Sequence, residues 1–148
     1  MEFKHTPVML KEVVEALNIK ASGRYIDCTV GGGGHSYEIA KRLKDGILYC
    51  FDRDSEALET SKKHLSEFGD KVKFFKANFK DAPTLIEGKV DGILIDLGVS
   101  SHQIDEGERG FSFLHNGRLD MRMGQDENIL TAYDIVNSYS EEELKNLF

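Results

Sequence analysis

Four consecutive glycines, Gly31 to Gly34, close a short apolar run, Arg24-Tyr25-Ile26-Asp27-Cys28-Thr29-Val30, and open a helical pattern from His35 to about Leu43. A strand that ends on glycines and leads into a helix lets the backbone approach a ligand closely, because no side chain stands in the way and positive φ angles cost little. The same unit then repeats. Gly46 breaks the helix, Ile47 to Phe51 reads as a second strand, and Asp52-Arg53-Asp54-Ser55 leads into a helix from about Glu56 to Phe68, with Ser55 or Asp54 as its cap. Val72 to Lys76 is a third strand, Asn78 to Asp81 a turn, Thr84 to Glu87 a short helix, and Val90 to Leu97 a fourth, almost wholly apolar strand. Strands and helices alternating across such short connections predict an α/β fold with a parallel sheet and right-handed crossovers.

The flanks are less regular. Behind Pro7, apolar residues at Val8, Leu10, Val13, Val14 and Leu17 fall at helical spacing and predict an amphipathic opening helix. From Val99 to Gly124 no period is sustained, after which Leu130 to Val136 and Glu141 to Phe148 read as helices, the second opened by a Ser140/Glu143 capping-box pattern.

Composition narrows the function. At 148 residues, 40% hydrophobic and 30% charged, the chain has the make-up of an ordinary globular domain. It carries no secretory signal or membrane-length apolar stretch, so a cytoplasmic location is expected. Cys28 and Cys50 lie inside predicted strands without histidines at zinc-ligand spacing, and are read as buried free thiols. No metal is expected, at His5 and His35 included. A net charge of −7 is the wrong sign for gripping phosphates over a wide surface, so basic contacts to any nucleic acid must be local or lie elsewhere.

The chemistry concentrates at strand ends. About twenty residues beyond the glycines, Asp52 ends the second strand, where a carboxylate can accept both hydroxyls of an adenosine ribose. Counting from Gly31, the dinucleotide pattern Gly-x-Gly-x-x-Gly puts Ser36 at its third glycine, which favours a cofactor without a pyrophosphate. Asp27, at the end of the first strand, suits a cationic methionine moiety or a capping role. In open α/β sheets ligands bind beyond the carboxyl ends of the strands, so Asp96 is expected in the same crevice as Asp27 and Asp52.

Several motifs then stand together: His5-Thr6-Pro7-Val8, Asp27 through Gly31-Gly32-Gly33-Gly34-His35-Ser36, Asp52-Arg53-Asp54, Asp96-Leu97-Gly98-Val99-Ser100-Ser101, Arg109-Gly110-Phe111-Ser112-Phe113 and Leu119-Asp120-Met121-Arg122-Met123. In these the chain resembles the S-adenosylmethionine-dependent methyltransferases that modify the exocyclic amine (N4) of a cytosine in bacterial small-subunit ribosomal RNA. The resemblance covers essentially the whole sequence. It implies a Rossmann-like class I methyltransferase fold with strand order 3-2-1-4, and S-adenosylmethionine as cofactor. Gly33, Gly34 and His35 would hold the cofactor at the glycine turn, with Asp52 on the ribose, Phe79 beside the adenine, and Asp96 and Gln103 near the methionine end. Because a cytosine amine is a poor nucleophile that must be held in line with the methyl group, Asp96, or a backbone carbonyl beside Leu97 and Gly98, is expected to orient it.

Members of that family run on for roughly as long again. Residues 1–112 are therefore expected to form an incomplete cofactor-binding domain, and residues 113–148 the start of a helical substrate-recognition insertion. Arg109, Phe111, Phe113, Arg118 and Arg122 are candidates for holding a phosphate and stacking a base, against the plainer alternative that the phenylalanines pack the loop and the arginines pair with Glu108 and Asp120. The chain alone is expected to bind cofactor weakly, to methylate ribosomal RNA poorly or not at all, and to pair with a second copy through its fourth strand. The rival readings are a non-catalytic cofactor-binding or assembly module and a nicotinamide oxidoreductase.

Overall fold

The computed structural model describes residues 7–147, so the predictions that touch His5, Thr6 and Phe148 lie outside the described residues. The chain divides into two compact units, Met1–Leu97 and Gly98–Phe148. This division follows chain packing, whereas the boundary expected after residue 112 was drawn by role.

The first unit is a four-stranded parallel sheet in the order β3-β2-β1-β4, as expected, with β1 Arg24–Asp27, β2 Ile47–Asp52, β3 Val72–Lys76 and β4 Gly92–Leu94. Helix α1 (Leu10–Leu17) precedes β1 and stops where Asn18 turns left-handed at φ 44°, a conformation that asparagine tolerates. α2 (Gly34–Ala40) follows β1, and α3 (Ser55–His64) follows β2. Of the two candidate caps, Asp54 is the one used: its side chain accepts from the Glu56 amide. α3 ends at His64, short of the predicted Phe68, and the chain continues as a 3₁₀ segment over Ser66–Lys71. The fourth helix, α4 (Ala82–Leu85), carries Pro83 in its first turn, where the missing amide costs nothing, and leads into β4.

Alternation along the strands divides the core between the two faces of the sheet. On one face Tyr25, Leu48, Cys50 and Val72 pack with Ile39, Leu43, Leu58 and Leu65 from α2, α3 and the residues just after them, with Val13 and Leu17 of α1 against them. On the other, Ile26, Cys28 and Phe51 pack with Ala82 and Ile86, bordered by Phe75 and Phe79. Phe51 and Phe75 stack with centroids 4.8 Å apart. At the amino end of the sheet Arg24 ties the connection into β4, donating to Tyr49 Oη and to the carbonyls of Glu87 and Lys89.

The fourth strand departs from the sequence reading. Only Gly92–Leu94 is strand, paired with β1 over Tyr25 to Asp27, while Ile93, Ile95 and Leu97 are 53%, 48% and 75% exposed. The apolar run therefore does not mark a strand covered on both faces, because among the described residues the helices over that face reach only β1 to β3.

The second unit holds α5 (Ser101–Asp105), α6 (Ala132–Ser138) and α7 (Glu141–Leu147). α5 falls within a stretch predicted to be irregular. A Ser100/Gln103 capping box nucleates it, a signal too short to show as a period. The predicted Ser140/Glu143 box is present, with Ser140 Oγ accepting from the Glu143 amide and the carboxylate accepting from Ser140 N. No described helix is long and apolar enough to cross a membrane.

Candidate functional site

The carboxyl end of β1 is held by a buried polar cluster. Asp27 is 1% exposed; its Oδ2 accepts from Ser36 Oγ at 2.6 Å and its Oδ1 from the Thr29 amide at 3.1 Å. Burial raises the Asp27 carboxyl above the usual range, opposed by those two hydrogen bonds. Asp27 thus joins the strand end to the first turn of α2 and does not face the crevice with the other two acids, which corrects the expectation of three convergent carboxylates. The side chain of a strand residue preceding the turn alternates inward, and here inward is the α2 face. Ser36 also lies 3.3 Å from Cys50 Sγ. Both cysteines are free and buried, and burial pushes the Cys28 thiol up to about 11, so both are protonated at neutral pH.

The glycine turn has two unlike sides. Gly33 adopts φ 83° as the residue that opens α2, and a Cβ there would press on Ser61 and Leu65 at 3.3 and 3.4 Å. A Cβ on Gly34 would overlap the Pro7 ring. Gly34 is therefore glycine because protein packs against it, and Gly33 first because of its left-handed backbone, with protein also closing on it. At Gly32 a Cβ would meet nothing within 4 Å, and at Gly31, with φ 51°, only the Thr29 carbonyl at 3.9 Å. The open side of the turn is the Gly31–Gly32 side, which the sequence reading, centred on Gly33 and Gly34, did not single out.

Asp52 stands beside that open side at the end of β2. Its Oδ2 accepts from the Gly31 amide at 2.9 Å and its Oδ1 from the Asp54 amide at 3.0 Å. Burial raises its carboxyl above the usual range, partly offset by these backbone bonds. Each oxygen has a second lone pair, so the half-buried carboxylate retains acceptor capacity toward a diol. Ala77 N donates to the Asp52 carbonyl, bringing the turn after β3 to the same strand end; there Phe79 is half-buried against the Phe51 face of the core. At the end of β4, the Asp96 amide donates to Thr29 Oγ1 at 2.9 Å while residue 96 itself is exposed. Asp52, Phe79, the glycine turn and Asp96 therefore share the carboxyl edge of the sheet, where ligands of open α/β sheets bind.

His35, expected on the cofactor, is buried, with its Nε2 2.9 Å from the Val8 carbonyl. Its imidazole anchors the segment leading into α1.

The remaining candidates lie in the second unit. Gln103 is buried as the closing residue of the α5 capping box, its Oε1 accepting from Ser100 N. Arg109 is 4% exposed and donates to the Met123 carbonyl at 2.8 Å. Arg122 makes a two-pronged bond with Asp120, Nε to Oδ1 at 2.8 Å and Nη2 to Oδ2 at 2.7 Å, and donates to the Glu127 carbonyl. Arg122 therefore pairs as the plainer alternative anticipated, and Arg109 is turned into the unit, its Nη2 on the Met123 carbonyl. Arg118 lies over the Tyr133 ring at 5.6 Å. Phe111 is half-buried, whereas Phe113 and Leu114 stand fully in solvent at 105% and 90% exposure. They crown a loop whose base is cinched where a Cβ on Gly117 would strike the Gly107 carbonyl. Among the described residues no three His, Cys, Asp or Glu side chains converge to hold a metal ion.

Comparison with known proteins finds relatives in both fold and sequence. The fold matches that of a putative methyltransferase from Streptococcus mutans solved in complex with SAH, with a TM-score of 0.57 at 16% identity over 66% of this chain and 56% of that one. In sequence, the chain is 57% identical to ribosomal RNA small subunit methyltransferase H of Finegoldia magna, across 99% of this chain and 48% of that protein. It is 49% identical to the protein of the same name from Clostridioides difficile, across 99% of this chain and 49% of that protein. The chain thus spans about half the length of the curated relatives it matches. It also matches the MraW methylase family over residues 2–148, and with a parallel sheet, an open glycine turn and a strand-end carboxylate in place, it belongs to that family.

Proposed function

We propose that this chain is the cofactor-binding part of an S-adenosylmethionine-dependent methyltransferase that acts on the exocyclic N4 amine of a cytosine in small-subunit ribosomal RNA. The observation that carries the cofactor reading is the half-buried Asp52 carboxylate next to the side of the glycine turn that no protein atom fills. A carboxylate with spare lone pairs fits a ribose diol, and a bare backbone fits a ligand lying flat against it. Phe79 offers a ring edge to the adenine, and the backbone from Gly31 to Gly34 the floor of the pocket. When bound, S-adenosylmethionine supplies an electrophilic methyl group on a sulfonium.

The cytosine amine is a weak nucleophile because its lone pair is conjugated into the ring. Asp96 answers that difficulty by accepting a hydrogen bond from the amine, which turns the lone pair out of conjugation and aims it along the line of transfer. No strong base is needed, since the nitrogen loses its proton readily once alkylated. The target base leaves its stack to reach the strand ends, as bases modified by enzymes generally do. Phe113, exposed on its cinched loop, is suited to stack on an unpaired base, and Arg118, exposed over the Tyr133 ring, to meet a phosphate. The net charge of −7 restricts RNA contact to local features of this kind.

Two measurements test the proposal. Calorimetry with S-adenosylhomocysteine should give saturable heat, and nicotinamide dinucleotide none; the reverse outcome would sink the cofactor reading. When the purified chain is incubated with labelled donor and unmethylated small ribosomal subunits, label transferred, however slowly, should be recovered as N4-methylcytidine. Label in any other nucleoside would overturn the substrate reading.

A further inference from the structure

The last turn of α3 grips the glycine turn from the side opposite its open face. His64 Nδ1 lies 2.9 Å from the Gly32 carbonyl oxygen. The same imidazole stacks on Tyr37 of α2, with centroids 5.1 Å apart and planes at 14°, and Phe68 meets Tyr37 edge-on at 5.2 Å. Ser61, His64 and Leu65 together form the surface that a Cβ on Gly33 would strike, at 3.3 to 3.5 Å. One residue therefore touches both halves of the strand-turn-helix unit, the carbonyl of the turn by hydrogen bond and the helix it opens by ring stacking.

A carbonyl only accepts, so the bond requires the proton on Nδ1. The Gly32–Gly33 peptide is flanked by glycines, which tolerate alternative φ and ψ at little cost, and its N–H side is tied to the Val30 carbonyl at 2.8 Å. The His64 bond holds the carbonyl side of the same plane, so that it is pinned at both ends with the Gly32 oxygen directed toward α3. We propose that His64 is a positioning residue for the cofactor: through its Nδ1–H bond to the Gly32 carbonyl it fixes the peptide plane of the turn in the orientation that receives the ligand on the Gly31–Gly32 side. The proposal rests on the reading of this turn as the cofactor site. Burial alone would not produce it, because His64 is exposed and contributes no core volume.

The test uses the intact chain and S-adenosylhomocysteine. His64→Phe keeps a ring on Tyr37 but lacks the donor, and should raise the dissociation constant about 5- to 10-fold, the factor that corresponds to one net hydrogen bond. His64→Asn sets an amide donor near the Nδ1 position and should recover affinity to within about 2-fold of the parent, by the same arithmetic. Independently of either variant, long-range proton–nitrogen spectra at alkaline pH should show His64 as the Nδ1–H tautomer, whereas an imidazole without this partner favours Nε2–H. Equal affinity of parent and His64→Phe overturns the proposal, as does the Nε2–H tautomer or a failure of His64→Asn to restore binding. Should the parent itself bind no S-adenosylhomocysteine while the tautomer is Nδ1–H, the cofactor reading has failed and the clamp has not.

Discussion

Alanine at Gly34 and alanine at Gly32 should affect the protein in opposite ways, although the two glycines are two residues apart in one turn. At Gly34 the new Cβ would overlap Pro7 Cγ and come within 3.2 Å of Pro7 Cδ. Carbon atoms rest at about 3.5–4.0 Å, and a proline ring has no rotamer into which it can retreat, so the segment before α1 must move. Overpacking of this kind costs about 1–3 kcal/mol. For a chain of this size that lowers the melting temperature by about 2–12 °C. At Gly32 no heavy atom lies within 4 Å of the added Cβ, and φ falls outside the left-handed range, so the fold tolerates alanine. Restricting the unfolded chain even favours the variant by about 0.4–1 kcal/mol. The methyl group instead occupies the open face, and binding of S-adenosylhomocysteine should weaken by at least about tenfold, the equivalent of 1.4 kcal/mol. Thermal melts with and without ligand, together with calorimetric titration, read both effects. If Gly34→Ala melts with the parent, or Gly32→Ala binds as tightly as the parent, the division of the turn into a packed and an open side is wrong.

Other perturbations address the rest of the edge. Asp52→Ala should weaken S-adenosylhomocysteine binding by about 1.5–3 kcal/mol, or roughly 10- to 150-fold, by removing a charged acceptor from a half-buried site; unchanged affinity in calorimetry would remove Asp52 from the site. Asp27 has a folded-state pKa raised above its ordinary value of 3.8, so the folded protein binds the extra proton and this group's stabilisation is lost as pH rises through the raised value. Asp27→Asn should therefore flatten the decline of melting temperature above about pH 4 relative to the parent, and an identical pH slope in the two proteins would refute the assignment. With Ile93, Ile95 and Leu97 exposed beside an edge that pairs only with β1 among the described residues, light scattering over a concentration series should reveal dimers or larger species. A monomer at every concentration would show that this edge is not a pairing surface.

Much of the architecture was legible in the sequence because its signals are local. The glycine run, the short strands and the capping residues act over a few positions, and the parallel order 3-2-1-4 follows once strand and helix alternate. Asp52 could be placed at a strand end beside the turn for the same reason: both belong to one repeated unit. The motif that marks the turn says only that glycine is required, and tertiary packing decides why. Pro7, distant in sequence, explains Gly34, and Ser61 closes on the left-handed Gly33, leaving Gly31 and Gly32 to face a ligand. Which way Asp27 and His35 point was likewise settled by what lies across from them, Ser36 and the Val8 carbonyl, and each is turned inward rather than toward the crevice. The fourth strand shows the reverse error, since an apolar run records a capacity to be buried, while burial itself depends on a partner elsewhere in space. His64 carried no sequence signal at all. A histidine near the end of a helix is ordinary until the fold sets its Nδ1 against a glycine carbonyl from the preceding strand-turn-helix unit.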